Sequence, residues 1–206
     1  MKITRREFAA IPVAFRPTPA RAPLVLPVNH VIDSHARWMG EQLPYFWSRI
    51  WPEVVRDLGR CGIGLQTKVC KGEIRRSPSG NPLLLGLEPG VINLFVTNYI
   101  PLAWDNGRAL AGVTARHRGY HLCMIALNHA HVHQIPFLSI NTCLHELLHA
   151  LFQDILESRK KARFAESREY RIDLYATRLW LFHDGAEIRR SAELYLKRLQ
   201  ADVKPR

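Results

Sequence analysis

In the stretch Thr142-Cys143-Leu144-His145-Glu146-Leu147-Leu148-His149-Ala150-Leu151-Phe152, two histidines stand four residues apart with a glutamate directly after the first. On a helix, positions i and i+4 lie one above the other on a single face, so both imidazoles can reach one metal ion held beside the helix. Glu146 is turned about 100° from His145, which brings a carboxylate near a water polarised by that ion without making it a ligand. The chemistry this set could do is metal-assisted hydrolysis. Zinc is the expected ion, since in hydrolases it takes three protein ligands and keeps a fourth position for water. The plain alternative is a chance pattern in which two histidines are satisfied at the edge of a core.

The element that must hold these residues is legible without them. Leu144, Leu147, Leu148, Leu151 and Ile155 recur at helical spacing, which predicts a helix with its apolar stripe on the core and His145 and His149 at the border of core and cleft. Asn141 or Thr142 can cap its start. A third ligand has to come from another element. The extended metzincin pattern would need Gly at 152 and His at 155, where this chain has Phe152 and Ile155.

In Ser167-Arg168-Glu169-Tyr170-Arg171-Ile172-Asp173-Leu174-Tyr175-Ala176, Glu169 follows His149 by 20 residues and Asp173 lies one helical turn further on. Over residues 145 to 173 the chain resembles the gluzincin metallopeptidases of thermolysin-like type. That resemblance implies that His145, His149 and Glu169 hold zinc, that Asp173 hydrogen-bonds a ligand histidine, and that Glu146 is the general base. It implies hydrolysis of a peptide bond in a peptide or protein substrate. It also implies a His or Tyr that stabilises the oxyanion; His183, Tyr170 and Tyr175 are available, and no motif selects one. The fold expected is α+β: a zincin-like domain with an N-terminal helix, a mixed sheet of three to five strands, the active-site helix and C-terminal helices.

A chain of 206 residues with 47% hydrophobic and 23% charged content suits one globular domain, here expected over residues 23 to 206. No apolar run approaches the ~20 residues of a membrane-spanning helix. The net charge of +11 raises the possibility of a polyanionic partner. However, Arg75-Arg76, Arg159-Lys160-Lys161 and Arg189-Arg190 are short, scattered clusters with no aromatic interleaving, so a solvated basic surface is favoured and no specific nucleic acid is expected. Two other function classes stay open beside the peptidase. One is a zinc-stabilised binding module without catalysis, and the other a basic protein that binds a polyanion.

Residues 1 to 22 carry five Lys/Arg against one Glu and include Thr4-Arg5-Arg6-Glu7-Phe8, which resembles a twin-arginine export signal. Export to the periplasm or beyond is the expectation, although Pro12 breaks the short apolar stretch and Pro23 follows the Ala20-Arg21-Ala22 cleavage pattern. The alternative is a basic, Pro-rich arm on a cytoplasmic protein. Residues 29 to 58 read as helical, clearest at Trp47, Ile50, Trp51, Val54, Val55 and Leu58, with Pro44 in a first turn and Pro52 dividing the helix. His30 and His35 have no metal-type partners at useful spacing.

Residues 64 to 70 and 73 to 76 read as short strands with a turn at 77 to 82, 91 to 97 as a buried central strand, and 120 to 127 as another. His129, His131 and His133 alternate, so an extended backbone puts them on one face. By the zincin analogy, which puts an edge strand just before the active-site helix, residues 128 to 133 line the substrate cleft; a plain exposed loop is equally open, and a second metal site there is the lesser alternative. Cys61, Cys70, Cys123 and Cys143 fit no paired metal spacing; a Cys61–Cys70 bridge and four free thiols are both open. A polar connector at 157 to 166 leads to the Glu169 helix, 167 to 183, and a last amphipathic helix at 186 to 201 packs through Ile188, Ala192, Tyr195 and Leu199.

Overall fold

Strands of β-branched and apolar residues form the middle of the molecule, and a computed structural model describes residues 24–35, 42–79, 82–98, 100, 112–117, 119–127, 133–135, 138–158 and 185–202. The segment expected to form the Glu169 helix, the connector from residue 159 on and the N-terminal segment lie outside these residues, while residues 157 and 158 belong to the helix before them. The elements in order are β1 (Leu24–Asp33), α1 (Gln42–Tyr45), a π-helical segment (Phe46–Ile50), α2 (Trp51–Arg60), β2 (Ile63–Arg76), β3 (Pro82–Leu85), β4 (Ile92–Thr97), β5 (Gly112–His117) and β6 (Tyr120–Ala126). A small hairpin of β7 (His133–Ile135) and β8 (Leu138–Ile140) then leads into α3 (Thr142–Ser158), and α4 (Gly185–Asp202) closes the described chain. The class is α+β, as expected.

Among the described residues six strands form one sheet in the order β3-β2-β1-β4-β6-β5. The pairs β1/β2, β1/β4 and β4/β6 are parallel, and the outer strands β3 and β5 run antiparallel to their neighbours. Strand β4 is central and buried along its whole length, as its unbroken apolar run requires. The sheet is larger than the three to five strands expected. Moreover, a strand and not a helix opens the described chain, so the helical reading of residues 29 to 33 was wrong. Pro27 fits within β1 because β4 joins only from Val28, leaving one side of the strand open at the proline.

Residues 64 to 70 and 73 to 76 are a single strand. Its first ten residues pair with β1 and its last four with β3. Gly72 sits at the change of partner. A Cβ there would overlap Val31 Cγ1 and lie 2.8 Å from the Leu85 carbonyl oxygen, so no larger residue fits.

The helix from residue 42 is divided where Pro52 indicated, though by widening and not by a break. Pro52 lacks an N–H, and in the turn before it the Trp51 N–H donates to the Phe46 carbonyl, five residues back. Helices α2, α3 and α4 cover one face of the sheet, burying Leu26, Val28, Ile92, Leu94, Val96, Cys123 and Ile125 against Val54, Leu58, Leu144, Leu148, Leu151, Ile188, Ala192 and Leu199. Every stripe residue expected on the last helix is in this core. On the opposite face Val31, Phe95, Leu122 and Met124 form a smaller cluster. There Asn29 donates to Asn93 Oδ1 (3.0 Å), and Asn93 donates to the carbonyls of Glu88 (2.9 Å) and His121 (3.1 Å), so these buried amides have partners.

His30, on the helix-covered face of β1, is fully buried with its ring centroid 4.1 Å from Trp51, 4.9 Å from Trp47 and 6.2 Å from Phe46. Neither ring nitrogen has a hydrogen-bond partner among the described residues. Burial lowers its pKa from 6.5 to about 4. A depressed folded-state pKa means that the unfolded chain binds the proton first. The associated stability is therefore complete above pH 6.5 and is lost as the pH falls toward about 4, by a total of about 3 kcal/mol. His30→Leu is expected to flatten that acid limb and leave stability at pH 7 equal or higher, because an apolar group replaces unsatisfied polar atoms. Thermal melts from pH 7.5 to 4 check this, and an unchanged limb in the variant would contradict it.

Candidate metal centre

Helix α3 starts where the sequence places it. Asn141 is the cap, its Oδ1 accepting the Leu144 N–H at 3.1 Å, while its Nδ2 donates to the Ile50 carbonyl at 3.1 Å and ties the helix start to the end of the π-helical segment. Leu144, Leu147, Leu148 and Leu151 are buried. That fixes the rotation of the helix. His145 and His149 come to its half-buried flank, and Glu146 turns inward, 5% exposed, beneath the antiparallel edge strand β5.

The two imidazoles converge. His145 Nε2 and His149 Nε2 are 2.9 Å apart, with ring centroids 4.6 Å apart and planes at 70°. Two nitrogens bound to one tetrahedral zinc at about 2.0–2.1 Å stand about 3.3 Å apart, so a few tenths of an ångström of opening would admit the ion. The Nε2 atom of each ring faces the shared point. Among the described residues no group of three His, Cys, Asp or Glu side chains is assembled. The expected third ligand, Glu169, and its companion Asp173 lie outside them, as do His183, Tyr170 and Tyr175.

Glu146 is held by the sheet. Thr114 Oγ1 is 2.6 Å from Glu146 Oε2 and 2.8 Å from the Glu146 carbonyl oxygen. The hydroxyl has one proton and donates to one of these at a time. Cys123, the Thr114 partner in the β5/β6 ladder, points its thiol at the same carbonyl, 3.6 Å away. Burial, with the Glu146 charge nearby, pushes that thiol up to about 12, and burial also raises Cys143, so both stay neutral beside the carboxylate. At the outer end of β5, Arg116 donates to Asp202 Oδ2 at 2.7 Å, and His121 Nε2 is 3.0 Å from the same oxygen, fastening the strand to the end of α4. Burial lowers the His121 pKa, with Asp202 opposing the shift.

Strand β5 was missed in the sequence, and with it Gly112 and Thr114. The available signal was the tight connection ending at Gly119 (φ 87°), which joins His117 to Tyr120 as a two-residue hairpin loop. Among the described residues, the edge strand beside α3 is β5. Of the segment 128 to 133, residues 128 to 132 lie outside the described residues and His133 begins the separate β7/β8 hairpin.

All four cysteines are free thiols. The Cys61–Cys70 bridge is excluded by geometry: Cys61 precedes β2 and Cys70 is its eighth residue, about 23 Å along an extended strand from its first. Burial pushes the Cys61 thiol up to about 11, and Cys70 donates to Asn29 Oδ1 at 3.3 Å. No family model, curated protein or solved structure matches this chain.

Proposed function

We propose that this chain is a zincin-like, zinc-dependent peptidase. The observation that carries the reading is the convergence of His145 Nε2 and His149 Nε2 to 2.9 Å on one helix flank, with Glu146 on the next position round the helix. A mixed sheet with an antiparallel edge strand lying against that helix adds support, since an extended peptide can pair with such an edge as a further strand. His145, His149 and Glu169 would hold the zinc, which would supply a Lewis acid able to bring a water's pKa to about 7 and to polarise the scissile carbonyl. Glu146 takes the proton of the attacking water and delivers it to the leaving amine. Asp173 orients a ligand histidine through its other ring nitrogen. Export through residues 1 to 22 belongs to the same proposal. Among the described residues no helix is long and apolar enough to cross a membrane.

One observation favours a second reading, a zinc-stabilised binding module. Glu146 is nearly buried and bonded to the sheet, as a structural carboxylate would be. Zinc-loaded protein incubated with a complex peptide mixture, beside its Glu146→Gln variant, separates the two. New termini that appear only with the wild type and vanish with a chelator support the peptidase; zinc binding without any cleavage supports the module.

A further inference from the structure

The inner face of β5 is shaped around one side chain. A Cβ built on Gly112 would lie 2.6 Å from Glu146 Cγ, 2.6 Å from Oε1 and 2.8 Å from Cδ, distances that real Cβ atoms do not show. Two residues along, and so on the same face of the strand, Thr114 Oγ1 meets the other carboxylate oxygen at 2.6 Å. One oxygen thus rests in a hollow that only glycine leaves open, and the other takes a hydrogen bond. The strand cannot easily draw back, because β6 pairs with it from Gly112 to His117 and the Arg116–Asp202 contact holds its far end.

We propose that Gly112 and Thr114 are the positioning residues of the base, a seat on the edge strand that fixes the Glu146 carboxylate in one orientation. This rests on the peptidase reading for the role of Glu146. A glutamate side chain has three rotatable bonds, and a general base acts only within hydrogen-bond reach of its proton, so a carboxylate fixed during folding need not be ordered at each turnover. The seat also makes the substrate-binding strand and the base one rigid unit, so that a peptide paired with β5 would be registered against Glu146 by the same backbone.

Two readouts test this. In the first, melting temperatures are measured for Gly112→Ala and Thr114→Val in the wild-type background and again with Glu146→Ala, which removes the atoms the new Cβ would strike. Gly112→Ala is expected to melt about 4–8 °C lower alone and to lose most of that penalty with Glu146→Ala, and the Thr114→Val penalty is expected to shrink likewise. In the second, zinc-loaded Thr114→Val and Gly112→Ala are expected to keep wild-type zinc content and KM while kcat falls roughly 10- to 100-fold, with Thr114→Ser restoring most of it. A Gly112→Ala penalty of equal size in both backgrounds would show that no seat exists. Wild-type kcat in Thr114→Val would show that the hydroxyl does not position the base. If zinc-loaded wild type turns over no peptide, the base itself fails and the role proposed for the pair fails with it, even where the melting cycle finds the contact.

Discussion

Glu146→Gln is expected to keep its fold and its zinc and to lose roughly 10²- to 10⁴-fold in peptide hydrolysis, the usual contribution of a positioned general base. Gln has the shape of Glu and fits the space above Gly112. Its amide can still meet Thr114, since the hydroxyl can accept from the amide nitrogen while donating to the main-chain oxygen of residue 146, or donate to the amide oxygen instead. Stability should therefore change little. What the amide cannot do is accept the proton of the attacking water. The proposed zinc ligands are untouched, so metal content should report intact binding while kcat reports the missing base. A variant that cleaves as fast as wild type would remove Glu146 from the mechanism.

The second large effect separates Glu169 from Asp173. They are four residues apart, so on the helix expected there both would face the same cleft, but only one is expected to bind the ion. The spacing from His149 and the longer stem of glutamate favour Glu169 as the ligand, with Asp173 accepting a hydrogen bond from a ligand imidazole. Glu169→Ala should then abolish tight zinc binding, while Asp173→Ala costs about 10- to 100-fold in affinity or activity. Competition titration against a zinc chelator gives both values. The reverse order would make Asp173 the ligand and would end the thermolysin-like comparison.

What the sequence discloses here is what short-range pattern encodes. The leucine stripe of α3, the Ile188-Ala192-Tyr195-Leu199 stripe of α4 and the unbroken apolar run of β4 each fix an element within one window, and the i, i+4 histidines are of the same local kind. Strand β1 escaped because both of its faces carry buried polar residues, Asn29 and Asp33 on one and His30 on the other, which blur an apolar period and are accommodated only by partners far along the chain. Asn29 meets Asn93, and Thr97 Oγ1 donates to Asp33 Oδ2 at 2.9 Å. Strand β5 escaped for a related reason. Its inner face is Gly112, Thr114 and Arg116, with no hydrophobic residue, because it faces the Glu146 carboxylate and Asp202 and not the apolar core. The pair of histidines was thus legible, and the strand that seats the Glu146 carboxylate was not, since its residues have meaning only once α3 lies on it.

Zinc stoichiometry of the purified protein beside His145→Ala and His149→Ala tests the centre most directly, because the whole account rests on those two imidazoles sharing one ion. About one zinc per wild-type chain is expected, with loss of tight binding in each variant and melting curves that still show a folded domain. Equal zinc content in all three proteins, or none in a wild type loaded with zinc, would contradict the metal centre and every catalytic role built upon it.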